Sequence, residues 1–211
     1  YNKSLKKYIR LRKKYLGLKQ YHTYDRFLEL AHSNKEYTYE EAKELFFHSI
    51  SQFPQDFQDK AHEVLRDGFV DVMEKVGKRT GAYSSSVANL HPFILLNFDH
   101  TLDSVFTVAH EAGHSIHSMY ATQTQPTMLQ DYTIFVAEIA STFNEHTLLD
   151  YFLSLPDATK EEKIMVIQKA IDEIMSTFYR QTLFAEYEYL ANHEVAKGNP
   201  INHQVLSQIM I

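Results

Sequence analysis

The chain has 211 residues, 44% of them hydrophobic and 13% aromatic, with a formal net charge of −6; this is ample apolar material for a packed core and excludes a disordered segment. No apolar run approaches the roughly 18 residues needed to cross a bilayer, and no secretory signal pattern opens the chain. Cysteine is absent, so disulfides and thiolate metal sites are excluded, any metal must be held by histidine and carboxylate, and a cytoplasmic location is expected.

Six glycines and five prolines leave few breaks, which favours long helices. Residues 2–16 read as a helix that stops near Gly17. Residues 1–20 carry eight Lys or Arg, from Lys3 to Lys19, and no acid. The acidic remainder of the chain is the partner expected for them, rather than nucleic acid or a membrane surface. Thr38 and Glu41 form a capping box for a helix through Ile50. Pro54 sits in the first turn of another, whose Phe57, Ala61, Val64, Leu65, Phe69 and Val72 point to the core. GKRTGAYSSSVANLHP, residues 77–92, reads as loop, and FILLNF, Phe93 to Phe98, as a strand.

A helix then spans Leu102 to Tyr120, started by Thr101 or Asp103. After the loop TQTQPT, a further helix covers about 130–154. Thr159 and Glu162 form a second capping box for a very long helix through about Lys197, closed by Gly198 and Pro200. Asn202 caps a last helix with Val205, Leu206 and Ile209 on one face. That face has no closing signal and the chain opens on Tyr1, so an excerpt of a longer protein is expected. The fold class is mainly α, with one or two short strands beside the histidine-rich helix.

The chemistry concentrates in FTVAHEAGHSIHS, Phe106 to Ser118. His110-Glu111-Ala112-Gly113-His114 matches H-E-x-x-H. On a helix the two histidines share a face and can reach one ion, and Glu111 projects beside them to take a proton from water there. With 12 histidines in the chain, the pentapeptide alone decides little. Val105, Phe106, Val108 and Ala109 argue that the helix is buried, where unpaired His and Glu are expensive.

A catalytic zinc site needs a third protein ligand and one open position. His at 117 and Tyr at 120 exclude H-E-x-x-H-x-x-G-x-x-H. Glu138, among Phe135, Val136, Ile139 and Ala140, is the candidate ligand; the alternative is a glutamate on the polar edge of an amphipathic helix. His117 reads as polar support, because a fourth protein ligand would close the site. Glu145, seven residues after Glu138, either orients a ligand histidine or faces solvent, and Asp103, seven before His110, is another candidate of that sort. Gly113 allows close approach of a neighbouring helix. Tyr83 and His91, in the loop beside the strand, are candidate substrate contacts or turn residues.

GAYSSS, PFILLNF, TLDSVFTVAHEAGHSIHS, EIASTFNE and FYRQTLFAEYE, in that order over about residues 80–190, resemble the zinc oligopeptidases of the thimet oligopeptidase family, above all its bacterial oligoendopeptidase F branch. The resemblance implies a helical zincin-type catalytic domain over 1–211, with a small β-sheet beside the H-E-x-x-H helix and a deep channel. It also implies that two parts of the family lie outside this chain: an N-terminal helical region, and a downstream His- and Tyr-containing segment that helps stabilise the tetrahedral intermediate. By resemblance, His110, His114 and Glu138 hold one Zn2+ per chain and Glu111 is the general base and acid. The implied activity is a zinc metalloendopeptidase acting on short peptides. The strand at 92–98, with Phe93 and Leu95, would lie along the bound peptide and pair with it by strand addition. The alternative is an inactive fragment or a non-catalytic peptide-binding module that keeps the metal. An intact Glu111 argues against it, since such a module has no need of a general base.

Overall fold

Helix dominates the computed structural model, which describes residues 2–87 and 89–210. In chain order the elements are α1 (Asn2–Tyr15), a 3-10 turn (Thr23–Phe27), α2 (Tyr39–Ser49), α3 (Gln55–Val64), β1 (Val70–Met73), β2 (Tyr83–Ser85), β3 (Phe93–Phe98) and α4 (Leu102–Thr124). A 3-10 turn (Thr127–Leu129), α5 (Ile134–Ser154), α6 (Lys160–Glu173), a π-helical segment (Ile174–Tyr179), α7 (Arg180–Ala196) and α8 (His203–Ile209) follow. They divide into two compact units, Ser33–Lys163 and Tyr1–His32 with Ile164–Ile211. Among the described residues no helix is long and apolar enough to cross a membrane.

In the Ser33–Lys163 unit, α4 is the central element, packed by α2, α3, α5 and the sheet. Thr101 starts it, its hydroxyl accepting from Ser104 N at 3.3 Å, a cap of about 1 kcal/mol. Val105, Phe106, Val108, Ala109, Ala112 and Ile116 are all buried, and a fully buried large apolar side chain contributes about 2 kcal/mol. Phe106 stacks on Phe152 of α5 with ring centres 5.8 Å apart.

The sheet order is β1-β3-β2. β3 runs parallel to β1 (Val70↔Ile94, Asp71↔Leu95) and antiparallel to β2 (Tyr83↔Leu95, Ser84↔Ile94, Ser85↔Phe93). Strand alternation turns Ile94, Leu96 and Phe98 into the core and Phe93 and Leu95 to the opposite face.

Gly113 sets how close α4 and α5 come. A Cβ there would meet Ala140 O and Ser141 Cα, both at 2.8 Å. Beside this contact Asn144 Nδ2 donates to Ala109 O at 3.2 Å. One buried amide thus ties the two helices at the level of the histidines.

In the other unit, α1 turns one of its basic side chains inward. Arg12 is 1% exposed and donates to Tyr8 Oη, Tyr21 Oη and the carbonyls of Asp25, Arg26 and Leu28. Its guanidinium is 3.6 Å from Asp172. The basic stretch therefore has an internal acidic partner for Arg12, while Lys3, Lys6, Lys7 and Arg10 stay exposed.

The structure departs from the sequence expectations at several points, and its sheet has three strands where one or two were expected. α3 stops at Val64, because Gly68 adopts φ +90° and Val70 and Val72, β-branched, enter β1; Phe69 and Val72 are not helix residues. The 77–92 loop contains β2, three residues too short for a periodic signal and paired only through β3. α4 runs four residues past Tyr120, up to the bend before Pro126. The long helix from Lys160 is interrupted by the π-helical segment, although it ends as expected before Gly198 at φ +83°.

Candidate metal centre

Helix α4 carries two polar seams. His110, His114 and His117 recur at i, i+4 and i+7, and Glu111, Ser115 and Ser118 repeat the same spacing one residue on, so each set lines one face. The histidine seam meets α5 and the segment before it; the second seam lies under β2.

On the histidine seam, His110 Nε2 is 3.1 Å from His114 Nε2. Glu138 Oε2, from the first turns of α5, is 3.4 Å from His110 Nε2 and 3.5 Å from His114 Nε2. Ser141, fully buried, donates to the same Glu138 oxygen at 2.7 Å and holds the carboxylate toward the histidines. Glu145 Oε1 takes the other ring nitrogen of His110, with Nδ1 at 2.5 Å, so His110 presents Nε2.

This donor set fits a zinc ion. Two imidazoles and a carboxylate are a donor set of catalytic zinc, and ligand bonds of about 2.0–2.1 Å in a tetrahedron place donors roughly 3.3 Å apart. The three observed separations bracket that value. Among the described residues, His110, His114 and Glu138 are the group that could hold a metal ion.

Glu111 is 5% exposed and its Oε2 has no hydrogen-bond partner. Burial pushes its carboxyl up to about 7, opposed by His110 and by the main-chain N–H of Ser84. Burial lowers His114, and the neighbouring His110 adds to that. Burial acts downward on His110 as well, but the Glu145 carboxylate outweighs it and the imidazole is raised.

The remaining candidates are placed as follows. His117 stacks on Tyr132, ring centres 3.8 Å apart, its Nδ1 buried and unpartnered, and burial lowers it. It lies beyond the three-donor group. Asp103 is exposed in the otherwise buried first turn of α4, where its carbonyl accepts from Thr107, two helical turns from His110. His91 packs flat on Phe69 with ring centres 3.6 Å apart, its Nδ1 2.5 Å from Pro92 O.

Tyr83, Phe93 and Leu95 line a cleft of about 480 Å³ with Gly68, Phe69 and Asp71 on the sheet's outer face. One expectation needs correcting: β3 is hydrogen-bonded on both sides, so a peptide cannot add to it at Phe93–Leu95. The free edge beside α4 belongs to β2. Sequence reasoning passed over Ser84, Ser115, Ser141 and Asn144. Asn144 had a signal, a short polar residue between Ser141 and Leu148 on the buried face of α5; the serines had none.

The Glu145 contact is testable. Glu145→Gln replaces the carboxylate beside His110 Nδ1 with a neutral amide. Zinc affinity, measured by competition with a chromogenic chelator, is expected to fall about 10- to 100-fold.

Peptidase family M3 matches residues 1–210. The chain is 37% identical over 206 residues to Oligopeptidase PepF of Bacillus subtilis, covering 97% of this chain and 31% of that protein. It is 34% identical over 207 residues to Group B oligopeptidase PepB of Streptococcus agalactiae, covering 97% of this chain and 34% of that protein. A solved chain from Chlamydophila abortus superposes with a TM-score of 0.83 at 41% identity, over 97% of this chain and 34% of that one. The oligoendopeptidase-F structure from Enterococcus faecium gives a TM-score of 0.59 at 27% identity, over 96% of this chain and 28% of that one. The chain spans about a third of the length of the curated relatives it matches.

Proposed function

This chain belongs to peptidase family M3, and on that premise we propose that it carries the zinc site of a cytoplasmic metalloendopeptidase that hydrolyses peptide bonds in short oligopeptides. The observation that supports the reading is the convergence of His110 Nε2, His114 Nε2 and Glu138 Oε2 beside the buried, unpartnered Oε2 of Glu111. A structural zinc site has four protein ligands and no need of such a carboxylate.

His110, His114 and Glu138 would hold the zinc, which when bound supplies Lewis acidity, lowering the pKa of water toward about 7 and polarising the scissile carbonyl. Glu111 takes the proton from the attacking water and passes it to the leaving amine. Its depth under β2, at 5% exposure, keeps the carboxylate away from bulk water and beside the donor group. Glu145 keeps His110 in the tautomer that presents Nε2, and Ser141 orients Glu138. The peptide lies along the free edge of β2, where main-chain pairing accepts many sequences and aligns the backbone with Glu111.

Elemental analysis of the whole protein, paired with cleavage of a quenched fluorescent peptide of about ten residues, tests the proposal. One zinc per chain and cleavage that a chelator abolishes and zinc restores are expected. A metal-free protein that cleaves nothing after zinc is added would overturn it.

A further inference from the structure

The second seam of α4 is answered from the strand above it. Ser84 Oγ lies 2.8 Å from Ser115 Oγ, and Ser86 Oγ donates to Ser118 Oγ at 3.3 Å. Ser118 Oγ is also 3.1 Å from Tyr132 Oη, which donates to His114 O at 3.4 Å. A short polar chain thus runs from the end of β2 to the backbone of a metal-site histidine. Ser115 is fully buried and Ser118 is 6% exposed. An unpaired hydroxyl at that depth is costly, so Ser115 favours the placement of β2 that brings Ser84 to it, and the bond from Ser86, just past the strand, to Ser118 supports the same placement.

That placement matters because β2 has little else to define it. Its pairing with β3 covers Tyr83, Ser84 and Ser85. The two serine pairs sit two residues apart in the chain, with Ser86 just past the end of β2, and three apart on the helix, about 4.5 Å of rise. Two such points set both the sliding and the crossing of β2 over α4. Glu111 is on the same seam of α4, one turn before Ser115. Tyr83 and Ser85, by strand alternation, point the other way.

Building on the functional reading above, we infer that Ser84, Ser86, Ser115 and Ser118 are positioning residues for the substrate strand. They hold the free edge of β2 in register with Glu111 and so decide which bond of a bound peptide is presented for cleavage. They touch neither metal nor scissile bond.

The test uses the zinc-loaded whole protein with Ser84→Ala, Ser86→Ala, Ser115→Ala and Ser84→Thr. Zinc content, kcat and KM on a set of unstructured peptides, and product masses are measured. In the zinc-free protein, hydrogen exchange of the Tyr83–Ser85 amides is followed as well. Expected are unchanged zinc content, a rise in KM of about fivefold in each alanine variant, the size one neutral hydrogen bond supports, and kcat changed less than about twofold. New products should appear from bonds displaced by two residues, the slip that keeps side chains on their faces.

Exchange of the β2 amides should quicken in the zinc-free alanine variants, and Ser84→Thr, which keeps the hydroxyl, should behave as wild type. Wild-type KM, products and exchange in the alanine variants would overturn the inference while leaving the zinc peptidase reading intact. Should the buried Ser115→Ala fail to fold, Ser86→Ala at the exposed end decides alone. A wild-type protein without zinc or cleavage would overturn the functional reading, and this inference with it.

Discussion

Glu111→Gln is expected to keep one zinc per chain and to lose peptide cleavage by about 10²- to 10⁴-fold, the range general acid–base catalysis commonly supplies. Glu111 lies on the seam next to the three donors and not among them, so removing its charge leaves the ligand set untouched. Glutamine has the same shape and fills the same buried space under β2, so packing should survive. What it lacks is an oxygen able to accept and return a proton. The measurement is zinc content by elemental analysis beside initial rates on a quenched peptide. Loss of zinc together with activity would mean that Glu111 belongs to the ligand set. Full activity would mean that another group handles the proton.

Gly113→Ala is the second change with a large expected effect, and its sign discriminates. Helix propensity alone favours alanine over glycine by about 1 kcal/mol in a helix interior. Here the added methyl would lie 2.8 Å from Ala140 O and Ser141 Cα, backbone atoms of the facing helix, which cannot yield as a flexible side chain would. Net destabilisation of about 1–3 kcal/mol is expected from such overpacking.

The displacement has a chemical consequence too. Glu138 and Glu145 ride on α5 on either side of the contact, so a retreat of that helix moves both carboxylates from the histidines. Weaker zinc binding should therefore accompany lower stability. Denaturant unfolding with and without chelator, and chelator competition for zinc, measure the two. A variant more stable than wild type with unchanged zinc affinity would show that the helices do not meet there.

Both variants probe one design feature, which is that α4 works on two faces at once. The histidine face needs α5 close enough for one glutamate to reach both imidazoles. The glutamate face needs a cover that excludes water and leaves a strand edge open. Gly113 serves the first need and the serine pairs the second.

Much of this was readable in the chain because it is local. The capping boxes at Thr38–Glu41 and Thr159–Glu162 form through contacts three residues apart, and the Asn202 cap through contacts of two and three. The convergence of His110 and His114 follows from the pitch of one helix. Even Glu138 could be singled out as a carboxylate amid apolar neighbours. The π-helical turn at Ile174–Tyr179 was not readable, since one extra residue in a turn leaves the apolar pattern on either side intact.

The sequence by itself determined the mainly helical class, the H-E-x-x-H spacing that puts two imidazoles on one helix face, and the residue types available beside them. Only the tertiary structure decided which partners complete the site. The Glu145 carboxylate on His110 spans 35 residues, and the Ser84–Ser115 pair spans 31. β3, read as the substrate strand, proved to be the middle of the sheet, and the open edge passed to three residues read as loop. The reason is physical: helix periodicity fixes neighbours a turn apart, whereas strand order and the meeting of two helices depend on side chains packing across the whole core.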